Sequence, residues 1–290
     1  MAGAFRHGDY LLGIEGLALL RAGARRSLDS VEPRVAAIRD IVARLDEVPY
    51  SLRRNLPVSE VGVGYANWAE SYDQPGNDTI ALEEPIVRGL LDDLPSGRVL
   101  DAACGTGRHA IYLAGAGRQV VGVDASGAML AYARRQLPEA DLRVGELTRL
   151  PLEDESFAGV VCALALSHLP AISGAIFKLG RVLAPRGRLI VSDPHPLASG
   201  VLGWRAVYSD RAGERRTIPE YPHLHGEYVE AFGTAGLVVR RLIEPGLTRA
   251  QARERAKGHH EEAFVQALVG LPAVIVWEAE KVSGRSTDAG

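Results

Sequence analysis

A glycine-rich turn in the first half of the chain restricts most strongly what this sequence can fold into. The segment VLDAACGTGRHA, residues 99–110, runs from an apolar strand through Asp101 into a helix that begins after Gly105-Thr106-Gly107. Glycines in such a turn let a ligand approach the backbone closely, because no Cβ intervenes, and the helix N-terminus offers unpaired N–H groups. The turn therefore predicts a nucleotide-like ligand at one edge of a sheet. Other sequence features are needed to identify this ligand.

Short apolar strands alternate with helices from Gly97 onward. This alternation is typical of a parallel sheet covered by helices on both faces, so the predicted fold class is α/β. Predicted strands span 98–102, 119–125, 141–147, 157–166, 187–193, 237–245 and 272–281, and predicted helices span 108–115, 127–136, 171–183 and 227–236.

Three regions flank or interrupt this main domain, which is predicted to span 61–282. Residues 1–60 predict a helical extension, because apolar residues recur at helical spacing between 8 and 48, and it is expected to cap the domain, form a dimer surface or help to cover the site. The irregular insertion 194–224 is rich in Pro, Gly, Arg and His, and long insertions are commonly lids or substrate-binding loops. The small, polar tail 283–290 is predicted to be flexible.

The composition restricts the kinds of partner and the cellular compartment that are expected for this protein. A formal net charge of −3 leaves no surplus of cations to neutralise phosphates, which disfavours nucleic acid as a partner. The two cysteines, Cys104 and Cys162, are too few for a disulfide framework and indicate a reducing cytoplasm. No segment is apolar for long enough to cross a membrane. The expectation is a cytoplasmic protein with a small-molecule substrate, and a homodimer is left open.

Acidic residues at the strand ends indicate the kind of ligand. A carboxylate at Asp101 would repel a pyrophosphate and attract an ammonium group. Asp124 ends the second strand 17 residues after Gly107, close to the position where an acidic side chain accepts hydrogen bonds from ribose hydroxyls. The third strand ends at Glu146, where an adenine would meet a carboxylate and backbone groups. A ligand with an amino acid end, a ribose and an adenine, but no phosphate, is S-adenosylmethionine (SAM).

The chain resembles the class I SAM-dependent methyltransferases, and among them the small-molecule, type 11 group, over about residues 65–280. The resemblance implies a seven-stranded Rossmann-like sheet with helices on both faces, in which the last strand lies antiparallel beside the fifth. It also implies transfer of the SAM methyl group to an O, N or C nucleophile of a small organic molecule, with release of S-adenosylhomocysteine. The motifs that carry it are VLDAACGTGRHA, VVGVDASGAML, GELTRLPLEDESFAGVVCALALSHL and RVLAPRGRLIVSDPHP, in the family's order and at its spacing.

By this resemblance, Asp101 lies near the methionine amino group, Asp124 binds the ribose, and the turn glycines let SAM approach. Glu146 stands where the family more often has Asp. The segment YANWAESYDQPGND resembles the aromatic segment that folds over the cofactor, with Tyr65 and Tyr72 as its candidates. The cofactor-binding residues so implied are Tyr72, Asp101, Ala103, Gly105, Gly107, Asp124, Ala125, Met129, Glu146, Leu147 and Ala163.

The methyl acceptor is expected outside the carboxyl ends of the central strands, next to the cofactor. His168 follows the fourth strand and His195 follows the fifth, and an imidazole there is suited to take a proton from the acceptor. Both are predicted as catalytic residues. The fourth strand lacks the Asn/Asp-Pro-Pro-Tyr signature of members that methylate nucleic-acid or glutamine amino groups, which favours a small organic acceptor.

Three alternatives stay open from the sequence. Imidazole and carboxylate clusters are metal ligands, so a metal-assisted C-methyltransferase of an α-keto acid is one, although no tight ligand spacing predicts a metal. An NAD(P)-dependent oxidoreductase is formally compatible with Gly105-x-Gly107-x-x-Ala110. A non-catalytic SAM-binding protein is the third, since fold does not guarantee function. The histidines considered for a metal are His223, His225, His259 and His260, with Glu261 and Glu262 beside them.

Overall fold

The computed structural model of the chain describes residues 5–24, 29, 31–53, 56–74 and 77–283. Its helices are α1 (His7–Ala24), α2 (Val31–Ala43), α3 (Val61–Trp68), α4 (Asp78–Asp92), α5 (Arg108–Gly115), α6 (Gly127–Gln136), α7 (Ser173–Val182), α8 (His225–Thr234), α9 (Arg249–Ala256) and α10 (Glu261–Leu268). Its strands are β1 (Val99–Ala102), β2 (Val120–Asp124), β3 (Asp141–Val144), β4 (Phe157–Ala163), β5 (Leu183–Pro194), β6 (Val207–Ser209), β7 (Arg215–Thr217), β8 (Leu237–Ile243) and β9 (Val274–Lys281). The predicted tail lies outside the described residues except for Ser283.

Seven strands form one sheet in the order β3-β2-β1-β4-β5-β9-β8. Neighbouring strands from β3 to β5 pair in parallel, whereas β9 runs antiparallel to both β5 and β8. The α/β fold class and the antiparallel strand beside the fifth are thereby confirmed. Because the order reverses at β1 and β4, the carboxyl ends of these two strands border the crevice in which such sheets bind ligands.

The central strands are apolar because both of their faces are covered. All four residues of β1 are buried, and so is most of β4. On one face they pack against α7 and α8 through residues such as Ile176 and Phe232, and on the other against α4 and α5 through Val87 and Leu113. The predicted bounds of α5 and α6 agree with the structure. β4 stops at Ala163, earlier than predicted, because Leu164 turns the chain with a φ of 55°.

The chain divides into two compact units, and the smaller one comprises Met1–Leu56 and Pro245–Pro272. In this unit Glu15 of α1 is fully buried and bonded to Arg34 and His260. The predicted boundaries assigned 245–272 to the main domain. The structure groups this segment with the N-terminal helices, through such contacts as the hydrogen bond from Arg21 to the carbonyl of Ala267.

The larger unit comprises Pro57–Glu244 and Ala273–Gly290 and contains the sheet. Its insertion, predicted as irregular, forms one π-helical turn at Leu197–Val201 and the hairpin β6-β7. The hairpin is joined to the start of the unit, because the backbone N–H of Ser59 donates to the carbonyl of Thr217 at 2.9 Å. Among the helices that the structure describes, none combines the length and the apolarity that a bilayer crossing requires.

Candidate active site

A cavity of about 340 Å³ opens at the carboxyl ends of β1, β2 and β4. α3 contributes Tyr65 to its wall, and the turn after β4 contributes His168. The structure thus brings together residues that are far apart in the sequence. The predicted site residues that line the cavity are Tyr72, Ala103, Gly105, Asp124, Ala125, Met129, Glu146, Leu147, Ala163 and His168.

The turn after β1 is fixed by the acid that ends β2. The backbone N–H of Gly105 donates to Oδ2 of Asp124 at 2.8 Å, and the N–H of Ser126 donates to Oδ1 at 2.7 Å. Burial raises the pKa of Asp124, although these two hydrogen bonds oppose the rise. Each carboxylate oxygen keeps a further lone pair, so the side chain can still accept hydrogen bonds from a ligand's hydroxyls.

The two turn glycines make different contacts, one with the cavity and the other with a neighbouring helix. Gly105 has a φ of 55° and lines the cavity. Gly107 has a φ of 89°, is the N-cap residue of α5, and does not line the cavity. A Cβ on Gly107 would lie 3.2 Å from the Cβ of Ala133 in α6, so the glycine is needed for close packing of these two helices. Both glycines are expected to let the ligand approach the turn. The geometry supports this directly only for Gly105.

Asp101 lies beneath the turn and does not line the cavity. It is 2% exposed, and its Oδ2 accepts the backbone N–H of Ala110 at 2.9 Å in the first turn of α5. Burial raises its pKa to about 7. Its carboxyl group therefore holds the helix N-terminus in place and is poised to change its charge near neutral pH.

Other predicted cofactor residues in the cavity wall differ in their exposure. Met129 is buried under the turn, and Glu146 is exposed at the rim. Ala103 lies just after β1 with a left-handed φ of 57°, a backbone conformation that L-residues rarely adopt and that recurs at functional sites. The structure shows this strained residue at the cavity wall.

Comparison with known proteins fits this geometry. Residues 100–191 match a family model described as a methyltransferase domain. The demethylmenaquinone methyltransferase of Streptomyces avermitilis is 30% identical over 230 residues, which cover 74% of this chain and 94% of that protein. The chain belongs to the SAM-dependent methyltransferases.

Two further similarities agree with this assignment. The 2-phytyl-1,4-naphtoquinone methyltransferase of Synechococcus elongatus is 34% identical over 179 residues, which cover 57% of this methyltransferase and 76% of that one. The crystal structure of a SAM-dependent methyltransferase from Mesorhizobium loti has a TM-score of 0.52 and 21% identity, covering 68% of this chain and 96% of that chain. The latter shows that the fold is that of the class I enzymes. SAM is therefore the cofactor of this methyltransferase.

His168 lies in the cavity wall of the methyltransferase, on the single helical turn Leu166–His168 that follows β4. Its Nε2 is 2.7 Å from the hydroxyl of Tyr65, and its Nδ1 is 2.8 Å from the carbonyl of Pro219 in the insertion. Burial lowers the pKa of its imidazole. The predicted catalytic position of His168 is compatible with the cavity, and its catalytic role stays a prediction.

His195 does not line the cavity of the methyltransferase. Its Nε2 lies 2.7 Å from Oε1 of Glu244, and the same oxygen lies 2.8 Å from Nε2 of His225. Nε2 of His195 is thus engaged in a hydrogen bond with Glu244, which lies 49 residues later in the chain. Its predicted role as the base finds no support in this geometry.

The ligand atoms of His195, His225 and Glu244 lie within 4.8 Å of one another, which invites comparison with a metal site. However, Nδ1 of His195 accepts the backbone N–H of Leu197 at 3.1 Å, so the ring proton is on Nε2. A metal-ligating imidazole needs the opposite arrangement, a bare nitrogen toward the metal and an N–H toward its other partner. This group is explained by hydrogen bonds and does not fit a metal.

Of the other histidines considered for a metal, His223 and His260 have hydrogen-bond partners for their rings. His223 bonds to Glu227 through Nδ1 and to the carbonyl of Leu169 through Nε2, at 2.9 and 2.8 Å. His260 bonds to Glu15 through Nδ1 at 2.7 Å. His259 lies in the turn after α9 and donates its backbone N–H to Ala256. These contacts give the metal-assisted alternative no support.

Sequence reasoning missed several apolar residues of the cavity wall. Leu164 and Leu169 lie near the end of β4, so the rule that ligands bind at strand ends would have found them. Val61 lies 38 residues before β1 and reaches the cavity through α3, which nothing local in the sequence predicts.

Proposed function

We propose that this methyltransferase acts on an uncharged, largely apolar small organic molecule. The observation that carries the proposal is the charge of the cavity wall. Among the described residues that line the cavity, none is Lys or Arg, and the acidic ones are Asp124 and Glu146. SAM itself brings a positive sulfonium, for which acidic surroundings are favourable.

This charge distribution disfavours anionic acceptors. A carboxylate or a diphosphate requires charge-assisted hydrogen bonds from Arg or Lys when it leaves water. The cavity instead offers aliphatic and aromatic surface from Val61, Leu164, Leu169 and Tyr65, with His168 as a polar group among them. An α-keto acid acceptor is therefore less suitable than a neutral phenol or quinol.

The relatives support an acceptor with a quinoid or phenolic ring. Those reported above are named as methyltransferases of a demethylmenaquinone and of a 2-phytyl-1,4-naphthoquinone. We extend only the chemical class to this chain. The acceptor would be a neutral aromatic or enolic compound with a weakly acidic hydroxyl group.

In the reaction, the acceptor's oxygen or carbon attacks the SAM methyl carbon in line with the sulfur. A new bond to the methyl carbon forms, the C–S bond breaks, and its electron pair stays on the sulfur of S-adenosylhomocysteine. The acceptor also loses one proton, which the protein or water must take. Most of the acceleration would come from holding the two reactants together in the correct orientation.

We also place this chemistry in the cytoplasm. Both cysteines are buried and free, which suits a reducing compartment. The net charge of −3 again argues against nucleic acid as a substrate. A role of the N-terminal helices in a homodimer remains a prediction.

The experiment is a panel of acceptors incubated with purified protein and SAM, with S-adenosylhomocysteine measured by mass spectrometry. Neutral naphthoquinols and phenols form one set, and phenylpyruvate and a prenyl diphosphate form the other. Turnover confined to the neutral set is the expected result. A higher kcat/KM for phenylpyruvate or the prenyl diphosphate than for the neutral set would overturn the proposal.

A further inference from the structure

We propose that the hydroxyl of Tyr65, rather than the imidazole of His168, is the group that takes the acceptor's proton, and that Tyr65 passes its own proton to His168. This inference rests on the proposed function, because it needs an acceptor with a weakly acidic hydroxyl. It assigns a catalytic role to a tyrosine that the sequence suggested only as part of a cover over the cofactor.

Hydrogen-bond chemistry fixes the direction of the relay. The carbonyl of Pro219 can only accept, so Nδ1 of His168 carries the ring proton, at a distance of 2.8 Å. Nε2 is then a bare acceptor, and the hydroxyl of Tyr65, 2.7 Å away, must donate to it. The lone pair on Nε2 is thus already covered by Tyr65, and an acceptor in the cavity meets the tyrosine oxygen first.

The backbone around His168 holds this geometry from two sides. The N–H of Ser167 donates to Oδ1 of the buried Asp193 at 3.0 Å, which ties the turn to the end of β5. The N–H of Tyr221 donates to the carbonyl of Ser167 at 2.7 Å, which ties the same turn to the insertion. These two hydrogen bonds therefore fix the position of the turn that carries the imidazole relative to Pro219.

Tyr65 is held equally firmly. Its ring lies 6.0 Å from Trp68 in a stacked arrangement and 5.3 Å from His168 edge to face. Gly64, beside it on α3, has no Cβ, and one there would lie 2.7 Å from a side-chain carbon of Ile218. The insertion therefore packs directly on the helix that presents Tyr65, and both Tyr65 and His168 line the cavity.

The protonation states agree with a relay. Burial lowers the pKa of His168, so its imidazole is neutral and able to accept a proton. Burial also raises the pKa of Tyr65 well above its usual value, so the tyrosine keeps its proton until another replaces it. Tyr65 can therefore take part in the proton transfer only if its oxygen gains one proton while it gives up another.

The relay moves two protons and one methyl group. The acceptor's O–H proton moves to the oxygen of Tyr65 while the Tyr65 proton moves to Nε2 of His168. The electron pair left on the acceptor forms the bond to the methyl carbon, and the C–S electron pair stays on sulfur. The products are the methylated acceptor, S-adenosylhomocysteine and a His168 imidazolium whose Nδ1–H remains bonded to Pro219. The imidazolium later returns its proton to water.

The test compares Tyr65→Phe and His168→Gln with Tyr208→Phe as the matched control. Tyr208 belongs to the same aromatic group, stacked on Trp68 at 5.7 Å, but its hydroxyl bonds to Ser59 and does not line the cavity. With a neutral phenol, Tyr65→Phe and His168→Gln should each lower kcat by about 100-fold. Tyr208→Phe should stay near the wild type, and all three should bind SAM with unchanged affinity in calorimetry.

A second acceptor separates proton transfer from a structural role. A nitro-substituted phenol that is already ionised at the assay pH has no proton to give, so Tyr65→Phe should lose little activity with it. Equal losses on both phenols would overturn the relay, as would full activity of Tyr65→Phe beside an inactive His168→Gln. If the wild type methylates no neutral acceptor at all, the proposed function itself fails.

A spectroscopic measurement tests the relay without any acceptor. Ring ¹⁵N NMR of wild-type protein should show His168 as the neutral tautomer with its proton on Nδ1, and Tyr65→Phe should shift the Nε2 signal of this ring. A proton on Nε2 in the wild type would overturn the inference whatever the acceptor screen gives.

Discussion

The backbone N–H of Gly105 donates a hydrogen bond of 2.8 Å to Oδ2 of Asp124. This contact joins the turn after β1 to the end of the neighbouring strand β2. The acid thus shapes the cofactor's approach to the turn as well as lining the cavity, so its removal should affect binding through both routes.

Asp124→Ala is expected to weaken SAM binding by about 100-fold, because the ribose would lose hydrogen bonds to a charged group and the Gly105 N–H would lose its partner. Isothermal titration calorimetry with SAM and S-adenosylhomocysteine measures the effect. Asp141→Ala is the matched control, since Asp141 pairs with Arg143 at the start of β3 and does not line the cavity. Equal affinities of the two variants would contradict the role of Asp124.

Much of this edge of the sheet could be predicted because its signals are local. The glycine turn, the acid ending β2 and the serine that caps α6 all lie within a few residues of the elements they define. Long-range pairing could not be predicted in this way. The pairing of His195 with Glu244 and the contact of Tyr65 with His168 join residues 49 and 103 positions apart, and no local pattern encodes either.

Neither α9 nor α10 is predicted from the sequence, and for α9 the reason is its composition. α9 is strongly polar, with the sequence RAQARERA, so it lacks the apolar stripe that indicates an amphipathic helix. Its start was nevertheless signalled, because Thr248 and Gln251 form a capping box. The capping box, and not apolar periodicity, is therefore the sequence signal for this helix.

The affinity for SAM should rise as the pH increases from 6 to 7. Burial raises the pKa of Asp101 to about 7, and the family resemblance places the methionine ammonium beside it. Only the ionised carboxylate attracts that ammonium, so the dissociation constant should fall about 5-fold over this range, while the ammonium itself stays charged.

Calorimetry at several pH values measures the change, and Asp101→Asn should abolish it. A wild-type affinity that does not depend on pH between 6 and 7 would contradict the placement of the ammonium. The folding stability depends on pH in the opposite direction from the SAM affinity. A carboxyl whose pKa is raised in the folded state stabilises the fold at low pH, and this contribution is lost as the pH rises through about 7.

Substitutions of the two turn glycines should have different effects, one mainly on SAM affinity and the other mainly on the free energy of unfolding. Gly107→Ala places a Cβ 3.2 Å from Ala133 at a φ of 89°, so it is expected to lower the free energy of unfolding by about 2 kcal/mol. Gly105→Ala meets only the flexible end of Met129, at 3.4 Å, and adds the strain of its φ of 55°. It should impair SAM affinity more than Gly107→Ala does.

Urea unfolding and calorimetry on both variants test this division. Gly115→Ala is the control, because a Cβ there meets nothing within 4 Å, and Gly115 carries no positive φ. It should leave both quantities near wild type or stabilise α5 slightly. Loss of SAM affinity only in Gly107→Ala would show that the roles of the two glycines are reversed.

Glu83 should dominate the stability of the sheet's α4 face. Its side chain is fully buried, with Oε2 2.6 Å from a guanidinium nitrogen of Arg108 and Oε1 accepting the hydroxyl of Ser192 at 2.6 Å. Glu83→Gln keeps the shape but leaves the buried Arg108 charge with only the more distant carboxylate of Glu84, at 3.9 Å. The free energy of unfolding at pH 7 should fall by about 3 kcal/mol or more.

The pH dependence of that loss identifies its cause. Burial alone would raise the pKa of Glu83, but the adjacent His109 and the Arg108 charge lower it to about 2. A lowered carboxyl pKa stabilises the fold above the unfolded-state value of about 4.5, and this contribution disappears as the pH falls toward 2. The difference between wild type and Glu83→Gln in urea unfolding should therefore shrink progressively as the pH falls from about 4.5 toward 2. Glu84→Gln removes the part-exposed pair with Arg88 at 2.9 Å and a longer contact with Arg108 at 3.9 Å, so it should cost less than about 1 kcal/mol at pH 7. An equal cost for the two variants, or a Glu83→Gln deficit that is as large at pH 3 as at pH 7, would show that the buried charge pair is not the source of the stability.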